Sequence, residues 1–218
     1  LTFRDAIPAV CIAVALTAIA GCKLVKNTPE GEGGDMVSSQ SGRDMTALVD
    51  EIWDARVVPH MRDNATDLAT LGPAIEADLD AAGKAHGYRP SSEGSPWNFP
   101  VVVRGVIVSA KTDTRAATAD VDVDGDGQAD AALQLGPVIR GTALRDVLPF
   151  IDFTSFTDQI EFAQLSRALN TRAFETALKD LPRENLVGQK LEAIGGFTMR
   201  SRGDAILITP VEITVGSQ

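Results

Sequence analysis

The chain has 218 residues, 44% of them hydrophobic and 23% charged, and its 30 acidic against 20 basic side chains give a net charge of -10. A length of this order suits one globular domain with appendages rather than two full cores. Arg43, Arg56, Arg104, Arg140, Arg145 and Arg167 are scattered and form no basic stripe, so the acidic balance argues against a nucleic-acid partner.

The chain opens LTFRDAIPAVCIAVALTAIAGC, with Arg4 ahead of an apolar stretch over residues 7–20 that ends Ile19-Ala20-Gly21-Cys22. That stretch is shorter than the ~20 residues a membrane-spanning helix needs, and it matches the apolar region of a secretory signal peptide. Asp5 offsets the charge of Arg4, and Pro8 works against a long helix. The ending resembles the lipobox of bacterial lipoproteins, in which an aliphatic, a small residue and Gly or Ala precede an invariant Cys. By that resemblance residues 1–21 are a signal peptide, and Cys22 is the acylated first residue of the mature chain and its attachment to a membrane. Cleavage removes Cys11, so no disulfide forms within the mature chain and the core alone must supply its stability. Lys23 occupies the position where Asp signals inner-membrane retention in enteric-type sorting, which leans toward the outer membrane. The expected location is the bacterial cell envelope, facing the periplasm.

Residues 22–44 are rich in Gly, Ser and charge and read as a lipidated tether. A helical region over residues 45–90 follows. Met45, Leu48, Val49, Ile52, Trp53 and Val57 recur at three- and four-residue spacing on a first helix that Pro59 is expected to end. Leu68, Leu71, Ile75, Leu79 and Ala82 mark a second, with a kink or late start at Gly72-Pro73 and closure at Gly83 and Gly87. SSEGSPWNFP, residues 91–100, reads as a loop.

Strand signals fill much of residues 91–218. Residues 101–110 are β-branched, with Gly105 at an expected bulge or bend. Ala117, Ala119, Val121 and Val123 alternate with polar residues, and Ala129, Ala131, Leu133 and Leu135 continue the inward register. A short helix over residues 142–148 and a longer one starting at Ser155 or Asp158 come next, the latter with Phe162, Leu165, Leu169 and Ala173 inward and Pro182 at its end. Residues 190–199 and 205–215 complete the strands, and Pro210 implies an edge or bulge. Three strands, a helix and two strands is the order of an OB-fold. The predicted fold class is therefore α+β, mainly β: a five-stranded OB-like barrel with an inter-strand helix and two N-terminal helices. A twisted meander packed on a helix is the alternative.

GCKLV, EGSPWNFP, DVDVDGDGQADAALQLGPVIRGTALRDVLPFIDF, QIEFAQLSRALN and ILITPV together resemble a bacterial predicted-lipoprotein family, a domain of unknown function, over nearly the whole chain beyond Cys22. The resemblance implies an OB-like barrel at the envelope. It also implies sugar ABC transporter components as partners, because members tend to be encoded beside ribose-type importers. It brings no catalytic residue or ligand.

DVDVDGDGQAD, residues 120–130, forms the tip of a β-hairpin and carries the densest charge in the chain. Asp122, Asp124, Asp126 and Asp130, with a carbonyl of Gln128, have the spacing of a short Ca²⁺ loop, since Ca²⁺ takes six to eight oxygens that a Gly-containing turn brings together. An EF-hand beginning at Asp120 fails, because its twelfth position is Ala131 and not Glu. Asp-Gly pairs also favour hairpin turns for conformational reasons alone, so a structural Ca²⁺ and a solvated acidic turn both stand.

Catalytic signals are sparse. His60 and His86 sit at helix ends, no nucleophile elbow is present, and Asp146, Asp152, Asp158 and Glu161 cluster in sequence while Asp158 and Glu161 suit helix capping. Trp97 and Asn98, between two prolines, offer stacking and an amide to a sugar, beside Arg140 and Arg145; the competing role for Trp97 and Phe99 is to plug the barrel. The composite expectation is a non-enzymatic, lipid-anchored binding or accessory module of a sugar uptake system. An envelope glycan hydrolase acting through acidic residues, or a purely structural importer partner, are the alternatives.

Overall fold

The computed structural model describes residues 43–90 and 94–216. Cys22, the signal segment and nearly all of the tether lie outside the described residues. Helix α1, Met45–Ile52, starts where Asp44 accepts hydrogen bonds from the Thr46 and Ala47 amides at 2.9 and 3.2 Å. It does not stop before Pro59. Over Trp53–Val57 the chain widens into a π-turn, in which the Val58 amide reaches back to Trp53 O, and α2, Val58–Asn64, continues with Pro59 in its first turn. The wider turn accommodates the missing proline N–H without ending the helix.

A two-residue strand β1, Thr66–Asp67, leads into α3, Leu68–Ala77. Gly72 and Pro73 lie inside α3, and the break comes at Asp78, whose carboxylate accepts from Ala81 N at 3.0 Å to cap α4, Leu79–His86. Gly83 lies inside α4, and only Gly87 closes it.

The strands are β2 Trp97–Lys111, β3 Ala116–Asp122, β4 Ala131–Pro137, β5 Lys190–Met199 and β6 Leu207–Val215. Their order, β2-β3-β4-β6-β5 with β5 returning to β2, closes a five-stranded barrel. β4 and β6 run parallel through Ala132↔Leu207 and Leu133↔Ile208, and the other neighbours are antiparallel. The stretch expected to be loop through Pro100 is strand from Trp97, and its two backbone bonds to Tyr88 run through Asn98. Alternation turns the nitrogen of Pro100 to the same side as that of Asn98, so it removes no bond from the β5 ladder. The β2 irregularity falls between Ile107 and Ser109, while Gly105 serves a close approach to β3. Pro210 sits at the β5–β6 register shift, as a strand proline should.

Inside the barrel, Val101, Val103, Val121, Leu133, Phe197 and Ile208 are fully enclosed, and Phe99 stacks on Phe197 at 5.2 Å. Leu68, Leu71 and Ile75 of α3 join this core from one element and Leu178 and Leu186 from beyond α6. A second core lies between helices and the outer face of the sheet. There α1, the π-turn, α2, the short α5 (Ala143–Asp146) and α6 (Gln159–Ala173) pack Val49, Trp53, Met61, Leu144, Leu165 and Leu169 around Val211. Helix α6 begins at Asp158, which accepts from the Ile160 and Glu161 amides at 2.9 and 2.8 Å. Phe162 is only half-buried, and the inner stripe is carried by Leu165, Leu169 and Ala173.

Candidate functional site

A groove of about 690 Å³ opens between the π-turn and α2, the end of α6 and the β5–β6 hairpin. Its wall is polar: Asp54, Arg62, Arg172, Thr176, Glu212 and Thr214 face it, above an apolar floor of Trp53, Ile194 and Val211. The Arg62 Nε donates to Glu212 at 2.8 Å, and the second arm of the fork also meets that carboxylate. This pairing raises the Arg62 pKa and holds both side chains in place. Arg172 is different. One guanidinium nitrogen lies 3.2 Å from Asp50, while its buried Nε has no partner among the described residues. Guanidinium donors beside threonine hydroxyls and carboxylates give the groove both donors and acceptors for a hydroxyl-bearing ligand. The contributing residues lie far apart in the chain, Arg62 and Glu212 by 150 positions, and no local pattern signals them.

The aspartate hairpin is built mainly by backbone donors. Asp122, buried at the end of β3, accepts from Gly125 N at 2.7 Å and Gly127 N at 2.8 Å, one with each oxygen. Asp130 accepts from Val123 N at 2.7 Å. Gly125 and Gly127 both have φ of 85°, the left-handed conformation these turns require. Oxygens of Asp122, Asp124 and Asp130 come within 4.8 Å of one another, a separation two ligands of one Ca²⁺ ion can bridge at about 2.4 Å each. The Asp126 carboxylate lies outside this cluster and accepts from the Gln128 backbone and side chain at 2.7 and 3.0 Å. Ala129 is exposed in the turn and does not continue the inward register.

Trp97 and Asn98 are held internally. The indole N–H of Trp97 donates to Asp80 at 2.8 Å, and the Arg89 guanidinium lies 4.0 Å over the ring. Arg89 also donates to Asp80 at 3.0 Å, and the hydrogen bonds from Trp97, first, and Arg89 hold the Asp80 carboxyl below its ordinary pKa. Asn98 is fully buried and accepts from the Thr198 hydroxyl at 2.6 Å. Arg140 is exposed, with its amide bonded to Gln134 Oε1 at 2.8 Å. Arg145 lies 3.7 Å over Phe162 and pairs with Asp146 at 2.6 Å.

The acidic residues that cluster in sequence have structural partners. Asp158 caps α6, and Asp152 accepts from the Thr154 hydroxyl and amide, which lower its pKa in that order. Glu161 accepts from the Thr157 amide and from Arg43 N at 3.2 Å, and these bonds, led by Thr157, hold its carboxyl low. His86 bonds Thr66 at 3.3 Å, and His60 packs edge-on against Phe150 at 5.9 Å.

Among solved structures, the chain is similar to an OB-fold protein from Thermotoga maritima, with a TM-score of 0.65 and 17% identity over 80% of this chain and 99% of that one. At that identity the likeness establishes the OB-fold, in accord with the strand order. No curated protein matches the sequence. Residues 12–214 match the family described as predicted periplasmic lipoprotein (DUF2291), which agrees with the lipobox and with a protein attached to the cell envelope. With barrel topology and sequence match in accord, the chain belongs to this family of predicted periplasmic lipoproteins.

Proposed function

We propose that the protein is a non-enzymatic, periplasm-facing binding or accessory module of a sugar ABC uptake system, anchored through acylated Cys22. The observation that carries the binding role is the groove of about 690 Å³ lined by the Arg62–Glu212 pair, Arg172 and two threonines over an apolar floor. Hydroxyl-rich ligands meet such mixed walls well, because each carboxylate or guanidinium accepts or donates to a hydroxyl without reacting with it. The assignment to sugar uptake rests on the family resemblance. Glycan hydrolysis needs an acid whose pKa is raised, and the caps at Asp152 and Glu161 push theirs the other way.

The test is thermal unfolding of the chain from residue 22 onward against a panel of monosaccharides and sugar acids. A ligand at 100 times its Kd stabilises by about 2.7 kcal/mol. For a domain of this size that corresponds to a Tm rise of roughly 5–10 °C. The rise is expected to disappear in Arg172→Ala; a panel that shifts neither protein would overturn the reading.

A further inference from the structure

Four of the eight phenylalanines lie in one short segment, at Phe150, Phe153, Phe156 and Phe162. Phe153 and Phe156 each pack on Phe162 at 5.2 Å, and the cluster forms a rim over the helical core. Its outer points are unusually bare for such residues: Phe153 is 45% exposed and Ile160, in the first turn of α6, 69%. Two exposed arginines overlie the rim, Arg43 at 5.8 Å from the Phe156 ring and Arg56 at 3.9 Å from Phe150. Apolar tips beside arginines whose guanidinium groups lie over aromatic rings are a composition suited to a membrane interface.

Where the tether enters supplies the occupant. Arg43, the first described residue, is tied through its amide to Glu161 at 3.2 Å, immediately next to Ile160. Only residues 23–42 separate it from Cys22, and at ~3.3–3.6 Å per residue they span at most roughly 75 Å. An anchor on so short a leash keeps this rim near the bilayer at an effective concentration on the order of millimolar. Weak affinity for lipid is then sufficient. The flanking residues Asp152 and Asp158 are acidic and accept from their own cap amides, so the rim suits zwitterionic rather than anionic lipid.

We infer that this aromatic rim, with Phe153 and Ile160 as its tips, is the face the protein lays on the lipid surface to which residue 22 attaches it. The inference rests on the lipid-anchor reading of Cys22. Contact at the rim would hold the body in one orientation, rather than leaving it to turn freely on its tether.

The chain from residue 22 is coupled at Cys22 to a maleimide lipid in zwitterionic vesicles, with part of the lipid brominated along its acyl chains. Tryptophan emission of Phe153→Trp is expected to be quenched beyond the baseline of Trp53 and Trp97, while Val187→Trp, at another exposed site, is unaffected. Hydrogen exchange on the unsubstituted protein serves as a check that needs no variant: residues 150–160 slow on vesicles and do not slow in solution. Absence of quenching and protection there, or protection centred on another face, overturns the inference and leaves the rim to a protein partner. Because the lipid is attached chemically, these outcomes do not depend on native acylation. Mass analysis of the residue-22 peptide from native cells tests that separately.

Discussion

The indole of Trp97 lies flat against Gly83, so closely that a Cβ at residue 83 would stand 2.2 Å from the ring. Gly83 is a packing surface in the middle of α4, where helix propensity alone would favour alanine. Gly83→Ala is therefore expected to destabilise by about 1–3 kcal/mol, the usual cost of overpacking, by displacing the indole from Asp80. Chemical denaturation with Trp fluorescence reads both effects, and an unchanged or raised midpoint would contradict the contact.

Gly105 has a stricter neighbour. A Cβ there would fall 2.2 Å from the carbonyl oxygen of Asp122, a backbone atom that no rotamer change can move. Gly105→Ala is expected to separate β2 from β3 at the base of the aspartate hairpin. A loss of about 1–3 kcal/mol, with faster amide exchange at Val106 and Val121, is the expected result.

For the hairpin itself, Asp122→Ala removes the acceptor for two glycine amides and is expected to cost about 1.5–3 kcal/mol, as hydrogen bonds to a charged group do. We propose in addition that Ca²⁺ binds Asp122, Asp124 and Asp130. With only three carboxylates, its affinity should be in the ~10⁻⁴–10⁻³ M range of extracellular sites. Millimolar Ca²⁺ should raise the Tm of the parent and not of Asp124→Ala; a parent indifferent to Ca²⁺ and chelator leaves the backbone donors as the only offset to the charge.

His60 carries a pH signature. Loss of hydration is the largest influence and lowers its pKa below 6.5, against smaller raising effects from a hydrogen bond to the Val147 backbone and from Asp63. The folded state thus disfavours protonation relative to the unfolded chain. Stability is complete above pH 6.5 and falls as pH drops below it through the folded-state pKa. Melting temperature against pH should show this decline, and His60→Gln should flatten it. Losses from Asp152 and Glu161, held low in the fold, begin only near their ordinary values of 3.8 and 4.5, in a separate acid window.

What the sequence made legible was whatever depends on short spacing. The alternation of Ala117, Ala119 and Val121 and the run from Lys190 to Met199 marked strands because side-chain direction repeats every two residues. Asp158 read as a cap because its partners are two and three residues away. Pro59 misled because its missing N–H has two remedies, ending a helix or widening it, and only packing of Trp53 and Val57 in the second core selects the latter. Trp97 and Asn98 looked available because their partners, Asp80, Gly83 and Thr198, are up to 100 residues away. The groove was invisible for the same reason, since Arg62 and Glu212 meet only after the barrel has closed.

That closure bears on how the molecule behaves among its own copies. Asn98 exchanges two bonds with Tyr88, Thr66 and Asp67 flank Val101 and Val102, and Arg183 donates to Leu135 O at 2.7 Å on β4. Backbone that would otherwise offer a template for strand addition is thus already occupied. Proteins confined to two dimensions collide often and in repeated orientations, so such masking guards a surface-bound population against sheet-to-sheet aggregation while leaving side-chain surfaces available for recognition.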